Sequence, residues 1–150
     1  MDTLTLLGSA SLLARTSKAG RLPLFTSRVS CGFPSPAEDF VESMTSLDEI
    51  AVTNPPSTYL MRCGGDSMTG AGIYPLDVIV VDRSVRARHR SIVTAVYNGE
   101  FVCKRLLHAE GGTVLLAPEN PNYPPIVIPN PDDLVIWGVC TFNLHDLRRQ

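Results

Sequence analysis

The sequence of 150 residues is 44% hydrophobic and 19% charged, with a formal net charge of −2 at pH 7, a composition that predicts one globular domain and argues against a wholly disordered chain. The charge is uneven, since residues 1–31 hold four basic and one acidic side chain and residues 32–150 hold nine basic and fourteen acidic ones. Affinity for duplex DNA comes mostly from neutralising phosphates, so the acidic main part argues against direct, sequence-specific DNA binding.

The N-terminal segment does not predict export or membrane insertion. Its stretch "LTLLGSASLLAR" is interrupted by glycine and serines and is preceded by Asp2 rather than by positive charge, unlike a signal peptide. No apolar run reaches the ~20 residues that a membrane helix requires. We therefore expect a cytoplasmic protein.

Residues 1–36 are predicted to form a flexible, extended N-terminal arm. Ser, Gly, Pro and Arg interrupt this segment, and the two prolines of "FPSP" disfavour helix. The acidic segment "AEDFVESMTSLDEI" follows, with apolar side chains at roughly helical spacing, namely Phe40, Val41, Met44 and Leu47. That spacing predicts one short helix. Its acidic residues form either a solvated face or a contact with a partner.

From Ser57 onward the sequence predicts about seven short strands, rich in β-branched and aromatic residues and bounded by Pro or Gly. The strand segments are "STYLMRC", "DVIVVD", the two halves of "SIVTAVYNGEFVCKRLL", "GGTVLLAP", "PIVI" and "LVIWGVCTF". Short strands at close spacing predict a mostly β domain built from curved sheet.

Asn98-Gly99 is a strong signal for a two-residue hairpin turn. With this turn, Lys104 lies opposite Val93, and Arg105 points to the other face of the sheet. The neighbours of Lys104 on its own face are aliphatic, Val102 and Leu106. Only two of the thirteen basic residues are lysines. Unlike arginine, a lysine in an apolar setting can lose its proton, so Lys104 is a candidate general base.

Ser67 is the candidate nucleophile because it lies in the loop "CGGDSMTGAG", which contains four glycines. Such a loop can bring backbone N–H groups close to a substrate carbonyl, and the amides of Ser67 and Met68 are the candidates for an oxyanion hole. The alternative is an ordinary glycine-rich turn with no chemical role.

Chain order tests the histidine-dependent serine hydrolases. The chymotrypsin and subtilisin orders need a histidine before the serine, but the first histidine is His89. The α/β-hydrolase order leaves His89, His108 and His145 available, yet its G-x-S-x-G motif fails because Thr69 stands at the second glycine. A Ser–Lys pair needs no histidine.

The four cysteines form no C-x-x-C pair, and they are Cys31, Cys63, Cys103 and Cys140. Their wide spacing predicts free thiols in a reducing compartment. It does not predict a zinc site, and we expect no metal or cofactor.

Six segments, in order, resemble the UmuD and LexA family of self-cleaving serine peptidases, and UmuD-type mutagenesis proteins in particular. They are "CGFPSPAEDF", "GDSMTGAGI", "VIVVDRS", "VCKRL", "ENPNYPPIVI" and "DLVIWGV". The resemblance implies a curved, mostly β, LexA/signal-peptidase-like domain over residues 32–150. It also implies that self-cleavage removes the arm, residues 1–31.

The resemblance also implies roles for individual residues and partners. Ser67 matches the nucleophile, Lys104 matches its general base, and Cys31-Gly32 matches the bond that is cut, in the same chain or in a partner. Cleavage would be stimulated by RecA filaments on single-stranded DNA in the SOS response to DNA damage. The shortened product would dimerise and join a UmuC-type Y-family polymerase in translesion synthesis.

Three features depart from the family pattern. Leu76 stands where the family usually has a glycine before Asp77, and Arg90-Ser91 replaces a common Gly-Asp turn. These two changes call the local turn geometry into question. The arm is also somewhat longer than usual, although 31 residues are too few for the helix-turn-helix domain of a LexA-type repressor.

Two other functions stay open. One is a peptidase that acts on other proteins, as signal peptidases do with a similar dyad, although the sequence lacks their membrane anchor. The other is a noncatalytic subunit that binds a polymerase or RecA. Trp137 is assigned to either the core or a dimer interface, and the sequence does not separate these two positions.

Overall fold

The computed structural model describes residues 4–9, 20–25 and 41–149. The strands are β1 Leu4–Ser9, β2 Leu22–Phe25, β3 Val41–Thr45, β4 Thr58–Cys63, β5 Val78–Asp82, β6 Ile92–Tyr97, β7 Glu100–His108, β8 Val114–Ala117, β9 Ile126–Ile128 and β10 Leu134–Leu144. The helix α1 spans Leu47–Ala51, and short 3-10 turns lie at Pro55–Ser57, Thr69–Ala71, Glu110–Gly112 and Pro131–Asp133. No helix in this part of the chain is long and apolar enough to cross a membrane.

The described strands form one large curled sheet and one small antiparallel pair. The large sheet has the order β1-β4-β5-β10-β6-β7-β8-β9, and β2 pairs with β3. Strands β6 to β9 are consecutive neighbours in a meander, whereas β10 returns to lie between β5 and β6. The prediction of a mostly β domain is confirmed, and β4 to β10 are the seven strands expected after Ser57.

The hairpin between β6 and β7 has the register that the turn predicts. Tyr97 pairs with Glu100, and Val93 pairs with Lys104. Asn98 and Gly99 both have positive φ, 51° and 77°, as a type I′ turn requires. The short turn therefore fixes which face of β7 carries each side chain.

The predicted helix is wrong over its first half within the described residues. Val41–Thr45 is strand β3, because it pairs with β2, and α1 begins only at Leu47. Ser46 caps α1 through a capping box with Glu49. A hydrogen bond from Arg21, with a side-chain distance of 2.5 Å, is the main reason that the pKa of Glu49 falls to about 2.

Strands β1 and β2 lie within the segment predicted as an extended arm, and the sequence did not predict either of them. β1 pairs with β4 at the edge of the large sheet, and β2 pairs with β3. The rest of that segment, including Cys31 and Gly32, lies outside the described residues.

Two clusters of buried side chains form the core. The first cluster contains Met61, Cys63, Met68, Ile73, Ile79, Val81 and Cys103. The second contains Val93, Ala95, Val102, Leu106, Leu116, Ile128 and Val139. Trp137 packs against the first cluster, with its ring edge-on to Tyr59 and Phe101 at 5.0 and 5.7 Å between centroids. Trp137 therefore has a packing role within the domain itself.

Leu76 and Arg90 keep the backbone conformation that glycine adopts easily. Their φ angles are 71° and 75°, in the left-handed region that costs a residue with a Cβ about 1–2 kcal/mol. Hydrogen bonds hold both turns, because Leu76 N–H donates to Cys63 O and Arg90 N–H donates to Leu106 O, at 2.8 and 2.7 Å. Both residues therefore carry backbone strain in turns that main-chain hydrogen bonds close.

Leu76→Gly should be more stable than Leu76→Ala. Both changes remove the same half-exposed side chain, but only glycine relieves the left-handed strain. The greater freedom of unfolded glycine offsets part of the gain, so we expect a difference of about 0.5–1 kcal/mol. Urea denaturation of the two variants measures it. Equal stability would show that the strain at Leu76 is negligible.

Candidate active site

Ser67 lies in the loop that connects β4 to the 3-10 turn Thr69–Ala71. The loop is closed at its base, because Cys63 N–H donates to Asp77 O at 2.8 Å. Met68 is 1% exposed and anchors the loop in the first core cluster. Ser67 is itself buried, with 1% of its surface exposed. The Ser67 hydroxyl is therefore held in place by its loop and is largely shielded from solvent.

Lys104 reaches Ser67 from the hairpin strand β7. Its Nζ lies 2.6 Å from Ser67 Oγ and donates a second hydrogen bond to Cys103 O at 3.2 Å. Lys104 is 6% exposed, and its face of β7 belongs to the second core cluster through Val102 and Leu106. The pair therefore joins a loop anchored in one cluster to a strand of the other.

This contact allows proton transfer between the two side chains. A general base must be within about 2.6–3.2 Å of the proton donor, and the Oγ–Nζ distance of 2.6 Å meets that condition. In its neutral form, the Lys104 amine can accept the proton of the Ser67 hydroxyl and so activate the serine oxygen for attack.

The backbone next to Ser67 offers free donors. Among the described residues, the N–H groups of Ser67 and Met68 donate to no acceptor, whereas those of Thr69, Gly70 and Ala71 are all used. Two unused amides next to a serine hydroxyl can stabilise a developing oxyanion when that hydroxyl attacks a carbonyl. The two amides that the sequence suggested for an oxyanion hole are therefore available in the structure.

The segment after β8 holds the Ser67 loop in place. Glu119 N–H donates to Ser67 O and Gly70 N–H donates to Glu119 O, at 2.8 and 2.7 Å. Asn120 Nδ2 donates to Asp66 O at 2.9 Å, and the Tyr123 hydroxyl donates to the Asp66 carboxylate. The sequence of this segment, "ENPNYPP", contributed only to the resemblance and did not predict these contacts. The available signal was a polar stretch enclosed by prolines.

The three histidines lie elsewhere. His89 Nδ1 accepts the His108 N–H, and His145 Nδ1 lies 2.6 Å from Asp77 Oδ1. Burial opposes the charged form of Asp77, but hydrogen bonds from Asn143, the Tyr74 N–H and His145 outweigh it, so the pKa of this carboxyl is lowered. No histidine hydrogen-bonds to Ser67 in the part of the chain that the structure describes.

Among the described residues, Cys63, Cys103 and Cys140 form no disulfide with one another. Cys103 and Cys140 approach to 3.9 Å between sulfurs, and the contact with Cys103, together with burial, raises the pKa of the Cys140 thiol. A thiol whose pKa is raised, as that of Cys140 is, makes a poor nucleophile because little thiolate is present. Within the described ranges, no group of three His, Cys, Asp or Glu side chains could hold a metal ion.

A family model and several relatives match this chain. The model, described as Peptidase S24-like, matches residues 23–141. Protein MucA of Salmonella typhimurium is 40% identical over 129 residues, which cover 85% of this chain and 87% of the relative. Protein ImpA of Shigella flexneri is 36% identical over 126 residues, covering 84% and 85%.

A longer relative matches only in part. The LexA repressor of Bordetella parapertussis is 39% identical over 119 residues, which cover 79% of this chain and 54% of that protein. Nearly half of that repressor's length therefore lies outside the match.

Proposed function

The chain belongs to the Peptidase S24-like family, and from that membership we propose that it is a serine peptidase that cuts its own chain between Cys31 and Gly32. Residues 1–31 are then a removable arm and residues 32–150 the peptidase domain. The observation that carries the proposal is the 2.6 Å contact between Ser67 Oγ and Lys104 Nζ in a buried setting.

The proposed reaction uses these groups in order. Neutral Lys104 takes the proton of the Ser67 hydroxyl, and Ser67 Oγ attacks the carbonyl carbon of Cys31. The amides of Ser67 and Met68 stabilise the oxyanion. Lys104 then gives its proton to the leaving amine of Gly32, and water, deprotonated by Lys104, hydrolyses the ester that remains on Ser67.

Tethering allows a slow enzyme to succeed. When the bond that is cut belongs to the same chain as Ser67, rather than to a partner, its effective concentration near the site is high without any binding from solution. Regulation can then act on the fraction of time that the bond spends in the site. A partner accelerates cutting if it binds more tightly to the form with the bond in the site than to the form with the bond outside it.

The proposed cellular role is that of a cytoplasmic protein of the SOS response. A RecA filament on single-stranded DNA is the proposed activator, and the dimer of the product is the proposed accessory subunit of a UmuC-type Y-family polymerase. The names MucA, ImpA and LexA repressor among the relatives support this assignment. A noncatalytic subunit is the competing function, and it differs in one observable, the absence of cutting.

Incubation of the purified protein at alkaline pH tests the proposal. We expect two fragments, one that ends at Cys31 and one that begins at Gly32. Their rate of formation should rise with pH, because only a neutral amine accepts the serine proton. Mass spectrometry of the fragments and a pH series from about 7 to 10 measure both effects.

Ser67→Ala is the matched control and should stay intact. A second series adds RecA, single-stranded DNA and ATP at neutral pH, where cutting should accelerate for the wild type alone. Intact wild type in both series would favour the noncatalytic subunit. A rate that does not change with pH would remove lysine as the base.

A further inference from the structure

Arg105 is the residue after Lys104 on β7 and points to the opposite face of the strand, where it meets the segment that holds the Ser67 loop. Its Nε donates to the Glu119 carboxylate, and its Nη1 donates to Arg90 O at 2.7 Å. Side-chain exposures of 25% for Arg105 and 31% for Glu119 show that the ion pair is partly shielded. The proposed reaction uses neither side chain.

Glu119 connects the two halves of the site. Its carboxylate binds Arg105, the residue next to the general base, while its main chain accepts from Gly70 N–H and donates to Ser67 O. Lys104 is therefore connected to Ser67 through two residues: Arg105, which follows it in the chain, and Glu119, which binds Arg105 and hydrogen-bonds to Ser67. Any movement of Glu119 relative to β7 also moves the main chain of Ser67.

We propose that the Arg105–Glu119 ion pair is a positioning device that sets the distance between Ser67 Oγ and Lys104 Nζ; this inference rests on the proposed function. The two groups must remain in hydrogen-bonding contact for proton transfer, and a displacement of about 1 Å can cost about 100-fold in rate. A partly exposed ion pair contributes little to folding. Its removal should therefore slow the chemistry much more than it lowers stability.

The test compares Arg105→Gln, Glu119→Gln and the double variant in the full-length protein. Two rates are measured, self-cleavage at alkaline pH and covalent modification of Ser67 by a fluorophosphonate, which requires no docking of the arm. We expect each single variant to lose about 10- to 100-fold in both rates, with no further loss in the double variant, because either change breaks the same link. Urea denaturation should show only small shifts of the midpoint.

Arg148→Gln is the control, since Arg148 forms an exposed ion pair with Asp146. This variant should cut itself at the wild-type rate. Rates within twofold of wild type in the single variants, losses that multiply in the double variant, or losses that track the unfolded fraction would each overturn the inference. If the proposed function is wrong, the wild type is neither cut nor modified at Ser67. That result contradicts both the proposed function and the inference about the ion pair. A wild type that is modified but not cut still tests the ion pair through the modification rate.

Discussion

Lys104→Arg is expected to leave the protein uncut between Cys31 and Gly32, as completely as Lys104→Ala does, although arginine preserves the positive charge. A guanidinium group does not lose its proton at any pH at which proteins are handled, so it cannot accept the proton of Ser67. If Lys104 acted only through its charge, arginine would retain much of the activity. The comparison therefore separates a base from an electrostatic contact.

The expected loss is at least about 100- to 10,000-fold, the range that general base catalysis provides. Self-cleavage over days at alkaline pH, monitored by mass spectrometry, measures it. Lys18→Arg changes the only other lysine of the chain and should cut normally. Circular dichroism must show that each variant is folded. Cutting of Lys104→Arg within tenfold of wild type would refute the assignment of Lys104 as the base.

Gly70→Ala is expected to disrupt the site from outside the dyad. A Cβ at this position would lie 2.5 Å from Glu119 O, the atom that accepts the Gly70 N–H at 2.7 Å. Because both partners are main chain, neither can rotate away, and the Ser67 loop must separate from Glu119. Overpacking of this kind costs about 1–3 kcal/mol of stability, and we expect self-cleavage to fall by more than about tenfold.

Gly20→Ala is the matched control, because a Cβ there meets no heavy atom within 4 Å. Urea denaturation and the rate of self-cleavage are measured for both variants. The rate of Gly70→Ala should stay low under conditions in which the protein is fully folded. A normal rate in folded Gly70→Ala would show that the contact with Glu119 does not position Ser67.

The sequence predicted those parts of the large sheet in which turn residues and the alternation of apolar side chains agreed. The Asn98-Gly99 turn set the register of β6 and β7, and alternation then gave the buried face that carries Lys104. The strand β3 was missed because Val41 and Met44 also fit a helical spacing, and only pairing with β2 decides between the two. Edge strands this short depend on their partners more than on their own residues.

The candidate site could be predicted from the sequence only in part. Residue type and loop composition nominated Ser67 and Lys104 separately, and the resemblance was needed to bring them together. Glu119 could not be found in this way, because its contacts with Ser67 and Gly70 are made by its main chain, which any residue other than proline provides. Gly70 does carry a signal in its lack of a side chain, but the sequence does not show which atoms approach it.

Cleavage would change the strand pairings of the arm from contacts within one chain to contacts between two. Strands β1 and β2 precede the proposed cut, and their partners β4 and β3 lie after it. In the intact chain these pairings are intramolecular, whereas after hydrolysis the same hydrogen bonds join two separate molecules and obey mass action. Leu22 and Leu24 of β2 are 57% and 43% exposed, so these two side chains bury little surface against β3. Hydrolysis and departure of the arm are then distinct events, and the second depends on protein concentration.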